Sequence, residues 1–130
     1  MDFDQAAVKQ ECSAKWGTEF DMVKYCMDQR QKGHEDLART VSLMPQQTRE
    51  EMAPMIAHCY NKWGQEWDMV DYCVQGNIEA VMEIPGILNV VPENIAEAIA
   101  RDCDAKWFPE YDMVAYCAEQ RVTGWQAINN

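Results

Sequence analysis

The sequence predicts an all-α protein built from three tandem helix-loop-helix hairpins, with six helices in total. A fifteen-residue motif, C-x-x-K-W-x-x-E-(aromatic)-D-M-V-x-Y-C, occurs three times, beginning at Cys12, Cys59 and Cys103. Its copies are offset by 47 and then 44 residues, which is within the range of helical repeat units. Upstream of each copy, apolar residues recur every four positions, as on one face of a helix.

The first helix of each hairpin is predicted from that four-residue spacing. Pro45 and Pro92 precede the second and third of these helices, where proline suits a first turn. Each helix is expected to end near the motif tryptophan and to be followed by a short loop that contains the motif glutamate. The apolar positions are Val8, Cys12 and Trp16, then Met55, Cys59 and Trp63, then Ile95, Ile99, Cys103 and Trp107.

The second helix of each hairpin is expected to begin at the motif aspartate. Aspartate is a strong N-cap because its carboxylate accepts a hydrogen bond from a free backbone N–H at the positive end of the helix dipole. The Met, Tyr and Cys that follow are predicted to share one stripe, and the aromatic before the cap can pack as a hydrophobic staple on the tyrosine. The aspartates are Asp21, Asp68 and Asp112; the aromatics are Phe20, Trp67 and Tyr111; the tyrosines are Tyr25, Tyr72 and Tyr116.

The spacing of the cysteines predicts one disulfide inside each hairpin. Both cysteines lie seven residues from the motif midpoint, so they sit at the same height on antiparallel helices. Helix axes ~8–10 Å apart leave roughly 4–6 Å between facing Cα atoms, which suits a disulfide. The predicted bonds are Cys12–Cys26, Cys59–Cys73 and Cys103–Cys117.

The whole chain, residues 1–130, is interpreted as a single domain of three repeats at about 1–43, 44–90 and 91–130. The middle repeat differs from the others after its motif, and its second helix is expected to stop before Pro85. The apolar connector that follows, Ile84–Val91, is expected to fill the gap between the second and third hairpins.

The cysteine-closed helical hairpins resemble those of the coiled-coil-helix-coiled-coil-helix proteins. That family carries two cysteine pairs in each hairpin, at a shorter spacing than the single pair found in each hairpin here. The resemblance implies a hairpin architecture closed by disulfides, and no activity is carried over from it.

The net charge of −11 argues against direct binding to nucleic acid or to an anionic membrane, because like charges repel. No apolar run approaches the ~20 residues that span a bilayer. Zinc sites use closely spaced cysteine pairs, and none is present. A Cys–His nucleophile at His58 and Cys59 is disfavoured because neighbouring side chains of a helix point about 100° apart. We therefore expect neither an enzyme nor a metal or other cofactor.

We expect the protein to act by binding another protein, as an adaptor or an inhibitor. The candidate contacts are the loop glutamates and the aromatics beside them: Glu19, Glu66, Glu110, Phe20, Trp67 and Tyr111. Two alternatives stay open: an acidic inhibitor or decoy of nucleic-acid-binding machinery, and a secreted or periplasmic disulfide-closed structural protein. We expect no signal peptide, because the first ten residues lack a basic segment and an apolar segment. Six cysteines favour an oxidising compartment if they form disulfides.

Overall fold

A computed structural model describes residues 2–130, and within them it confirms the all-α prediction. Six helices form three consecutive helix-loop-helix pairs, each pair spanning one copy of the motif. Their bounds are α1 Gln5–Trp16, α2 Phe20–Leu43, α3 Gln46–Trp63, α4 Trp67–Leu88, α5 Glu93–Trp107 and α6 Tyr111–Ile128. In the described part of the chain, none of these helices combines the length and the apolar character needed to cross a membrane.

All three disulfides form within single hairpins, with the predicted pairing. The bonded cysteines are Cys12–Cys26, Cys59–Cys73 and Cys103–Cys117, and the Cα atoms of each pair lie 5.8 Å apart. That separation falls in the range expected from two facing helices. Each bond therefore links the first helix of a hairpin to the second at the loop end.

The first helix of each hairpin ends at the motif tryptophan, as predicted. After Trp16 and Trp63 the chain turns through Gly17 and Gly64, which have φ angles of 58° and 57°. Such left-handed φ angles favour glycine because it lacks a Cβ. In the third hairpin the residue at the same place, Phe108, has a φ of −52°, so that turn does not require glycine.

The prediction that the motif aspartate caps the second helix is wrong by two positions. In the first and third hairpins the N-cap residue is the loop glutamate, Glu19 or Glu110, and its side chain makes no capping hydrogen bond. The amides of Met22 and Val23 both donate to the Glu19 carbonyl, so the helix begins at Phe20, the aromatic residue before Asp21. Asp21 therefore lies inside the first turn, where its charge still favours the positive end of the dipole.

The prediction that α4 stops before Pro85 is also wrong. The helix continues to Leu88, and the Asn89 amide donates to the Pro85 carbonyl at 3.1 Å. Proline inside a helix costs ~3 kcal/mol. Ile84, Ile87 and Leu88 are partly buried against an apolar cluster. Each contributes part of the ~1.5–3 kcal/mol that full burial of such a side chain provides, which offsets the cost of the proline.

The chain divides into two compact units, and the boundary falls within α4. The first unit ends at Val74 and contains a buried cluster of Val8, Cys12 and Val23. The second unit, Gln75–Asn130, is built around a larger cluster that includes Ile99, Cys103, Val114, Cys117 and Val122. The division of the sequence into three repeats stays a prediction.

Candidate protein-binding surfaces

In the second helix of each hairpin, the buried face includes the motif valine and leaves out the motif tyrosine. In α2 the buried positions include Val23, Arg30, Gly33 and Leu37, spaced three and four residues apart. Tyr25 lies two positions from Val23, about 200° around the helix, and is therefore turned to solvent. The prediction that the motif tyrosine shares the buried stripe is wrong.

The motif tyrosine is exposed in all three hairpins. Tyr25 and Tyr116 are each 58% exposed, and Tyr72 is 76% exposed. Among the residues repeated in the motif, the cysteines and the valine are largely buried, so their repetition serves the fold. The exposed tyrosines contribute little to a core, and burial does not explain why they recur. This makes them the surface residues that the sequence interpretation missed.

The aromatic residue before the motif aspartate has a different environment in each hairpin. Phe20 is 72% exposed, Trp67 is fully buried, and Tyr111 is partly buried. The Trp67 ring meets the edge of His34 at 4.6 Å between centroids and stacks on Tyr60 at 5.3 Å. Of these three predicted contact residues, Trp67 therefore offers no surface to a partner in this structure.

The loop glutamates also differ between hairpins. Glu19 is exposed, whereas Glu66 and Glu110 are partly buried. Glu66 lies 4.0 Å from the Arg30 guanidinium of the preceding hairpin. The glutamates therefore do not form three equivalent exposed sites, and their role in partner binding stays a prediction.

Each motif lysine lies over the tryptophan that follows it. The Nζ atoms of Lys15, Lys62 and Lys106 are all 5.6 Å from the centroid of the adjacent indole ring. At such exposed sites a cation–π contact is worth about 0.5–1 kcal/mol. The tryptophans themselves are partly buried, so each loop end combines a basic group, an indole face and an exposed tyrosine.

In the first unit, α2 packs closely against the start of α4, and we call this contact the first joint. It is defined by Arg30, Gly33 and His34 on α2 and by Glu66, Trp67 and Asp68 on the following hairpin. A Cβ atom at Gly33 would lie 2.5 Å from the Asp68 amide nitrogen. Arg30 is buried, and its Nη1 donates to Glu11 at 2.9 Å. The joint therefore combines a close main-chain contact, an edge-to-face contact between Trp67 and His34, and the approach of Glu66 to Arg30.

In the second unit, α4 meets the start of α6 at matching motif positions, and we call this contact the second joint. Asn77 stands where Arg30 stands in the first repeat, and its Oδ1 accepts a hydrogen bond from the Asp112 amide at 3.1 Å. Ala80 takes the place of Gly33 and is buried. Val81 lines a cavity of about 380 Å³ together with Ile84 and Tyr111. The same surface of the second helix thus meets the following hairpin in both units.

In the structure all six cysteines form disulfides, which bears on the Cys–His nucleophile considered from the sequence. Cys59 is fully buried and bonded to Cys73, so it presents no thiolate beside His58. Within residues 2–130, no group of three or more His, Cys, Asp or Glu side chains is placed to hold a metal ion.

On the α2 surface, a hydrogen bond from Lys32 lowers the pKa of Asp36, and the nearby positive charge of Arg39 lowers it further. That carboxylate is part of an exposed ion-pair cluster.

A cavity of about 150 Å³ lies in the first unit and is lined by Trp16, Tyr25 and Arg30, among others. It is smaller than the pockets of roughly 300–1,000 Å³ that hold drug-sized ligands. The sequence does contain a signal for the exposed tyrosines. Each lies two positions after the motif valine, about 200° around the helix, and that valine is buried.

No protein-family model, curated protein or solved structure matches this chain.

Proposed function

We propose that this protein works by binding another protein, and that the three exposed motif tyrosines form the main contacts. The observation that carries the proposal is their exposure at the same position of every hairpin, at 58%, 76% and 58%. Tyrosine combines a large apolar ring with a hydroxyl group, and it is enriched at the energetically important centres of protein interfaces.

The charge of the chain supports a role in binding and limits the kind of partner. A net charge of −11 keeps the protein soluble and steers it toward a basic surface on the partner. Lysine over tryptophan beside each loop adds a local positive group, so the contact surface is mixed rather than uniformly acidic. A basic protein surface with apolar depressions for tyrosine rings fits this description.

The test is a comparison of two triple variants in affinity capture followed by a binding titration with the purified partner. The first variant carries Tyr25→Ser, Tyr72→Ser and Tyr116→Ser. The matched control carries Leu43→Ser, Met82→Ser and Val90→Ser, which removes three equally exposed apolar side chains outside the motif. Both variants are expected to melt like the parent, because exposed side chains contribute little to stability.

The tyrosine variant is expected to lose its partner by at least tenfold in affinity, whereas the control binds like the parent. Equal binding by all three proteins would refute the tyrosine surface. The salt dependence of partner binding distinguishes the tyrosine surface from the alternative of an acidic decoy. A partner held by charge alone is released steeply as ionic strength rises, and it is retained by the tyrosine variant at low salt.

A further inference from the structure

The third hairpin carries the surface that forms the two joints, and most of that surface is exposed. Counted from the second motif cysteine, Arg121, Gly124, Trp125 and Ile128 stand where Arg30, Gly33, His34 and Leu37 stand in the first hairpin. Gly33 and Leu37 are buried, whereas Gly124 and Ile128 are exposed, Ile128 at 82%. Apart from the adjacent residues and the nearby backbone of its own helix, no heavy atom lies within 4 Å of a Cβ built at Gly124.

Part of the joint is already assembled on the third hairpin. In the first hairpin, Arg30 pairs with Glu11 of the same hairpin and lies 4.0 Å from Glu66 of the next one. Asp102 occupies the Glu11 position of the third hairpin, and its carboxylate lies 3.8 Å from the Arg121 guanidinium. What the third hairpin lacks is the carboxylate that Glu66 supplies at the first joint.

The complementary surface is exposed on the first hairpin. Glu19, Phe20 and Asp21 stand where Glu66, Trp67 and Asp68 stand in the second hairpin. Trp67 is fully buried by the first joint and by Tyr60, whereas Phe20 is 72% exposed. An acidic residue and an exposed aromatic ring are therefore available to meet a basic residue and a helix face that is exposed at Gly124 and Ile128 and partly buried at Trp125.

We propose that copies of this chain associate head to tail through a third joint. In this contact the surface of Arg121, Gly124 and Trp125 on one copy binds Glu19, Phe20 and Asp21 on another copy. Glu19 pairs with Arg121 as Glu66 approaches Arg30, and Phe20 lies against Trp125 as Trp67 lies against His34. The absent side chain of Gly124 admits the main chain at Asp21, as Gly33 admits Asp68.

The occupant is a second copy because one chain carries both halves of the contact, and each half matches its counterpart at the first joint, including Arg121 for Arg30 and Glu19 for Glu66. The contact is heterologous, since different surfaces of the two copies meet, so assembly either continues or closes into a ring. The net charge of −11 opposes association. Measurement at about 0.15 M salt, where the Debye length is about 8 Å, limits that long-range repulsion. The inference does not rest on the motif tyrosines.

The test uses two variants, each of which blocks one of the two surfaces. Gly124→Leu adds its Cβ in open space on the isolated chain, and it places atoms where the main chain of the second copy must enter. Leucine rather than alanine is needed because the second joint already accommodates Ala80. The other variant, Glu19→Lys with Phe20→Ser, opposes Arg121 with a like charge and removes the aromatic ring.

Sedimentation velocity, at protein concentrations up to about 1 mM, measures the mass of the species that each protein forms. The parent is expected to rise above 15.0 kDa with concentration, and each blocked variant is expected to stay at that mass. An equimolar mixture of the two variants is expected to reach twice 15.0 kDa and no more, because each contributes one intact surface. A parent that stays monomeric overturns the proposal, as does an associating Gly124→Leu variant. A mixture that stays monomeric beside an associating parent overturns it too, and assigns the surfaces to another occupant.

Discussion

Gly33 of α2 lies directly against the main chain at Asp68, at the start of α4. A Cβ atom at position 33 would lie 2.5 Å from the Asp68 amide nitrogen and 2.6 Å from its Cα. Main-chain atoms within a helix cannot move aside as the end of a flexible side chain can. The two hairpins of the first unit therefore approach each other at a distance that only glycine permits.

Substituting Gly33 with alanine is expected to destabilise the protein by about 1–3 kcal/mol, because one extra methyl group overpacks the joint. Gly124→Ala is the matched control: it has the same motif position and nothing within 4 Å of the added atom. That control is expected to be neutral or to stabilise by up to ~1 kcal/mol through helix propensity. Chemical denaturation of both variants measures the difference, and equal midpoints would contradict the close approach.

The aromatic position of the motif gives a second pair of matched variants. Trp67→Ala is expected to cost about 3–5 kcal/mol, because it removes a fully buried indole. Phe20→Ala removes a ring that is 72% exposed, so its effect on the free energy of unfolding is expected to be small. Urea melts at a protein concentration low enough to keep the chain monomeric compare them. A large loss for Phe20→Ala would show that the ring is covered in the folded chain.

The ion pair at Arg30 is expected to respond differently to removal of each partner. Glu11→Ala leaves a buried guanidinium whose other acidic neighbour is 4.0 Å away, which is expected to cost about 1–3 kcal/mol. Arg30→Met keeps an apolar stem and leaves two carboxylates that water reaches, with side chains 48% and 42% exposed. Its cost is expected to be smaller, below about 1 kcal/mol. Thermal melts test the order, and a larger loss for Arg30→Met would mean that the pair itself stabilises the joint.

The disulfides are expected to contribute to stability one hairpin at a time. Each bond joins residues separated by 14 positions, and a loop of that length corresponds to about 3 kcal/mol in the chain-entropy model. Replacing Cys103 and Cys117 with alanine is expected to lower the free energy of unfolding by that amount. The double variant also serves as the control, because reductant should lower the melting temperature of the parent by more than that of a variant with one bond fewer to lose. Insensitivity of the parent to reductant would contradict the bonds.

The disulfide pairing and the helix order could be predicted from the sequence because both are local. Cys12 and Cys26 lie at matching heights on two helices joined by one short loop, so their pairing needs no knowledge of the rest of the fold. The ends of the first helices were equally predictable, since the turns at Gly17 and Gly64 follow the last residues of an apolar stripe.

The contacts between hairpins could not be predicted in the same way. Gly33 and Asp68 are far apart in sequence, and nothing in the local pattern around Gly33 identifies the main chain that covers it. Pro85 shows the same limitation: local sequence favours a helix end, but packing of Ile84 and Leu88 on a distant cluster keeps the helix continuous. Among the candidate contact residues, Phe20 is exposed and Trp67 is buried for this reason, although they share one motif position.

The placement of every crosslink within its own hairpin has a consequence for how the protein is made. Six cysteines can pair in many ways, and most secreted scaffolds must sort correct bonds from incorrect ones after synthesis. In this chain each cysteine bonds either the next cysteine or the one before it. Cys12 and Cys26 emerge from the ribosome well before Cys59, so oxidation in order of synthesis produces the native set. Bonds that form in the order of synthesis are therefore native bonds and need no reshuffling.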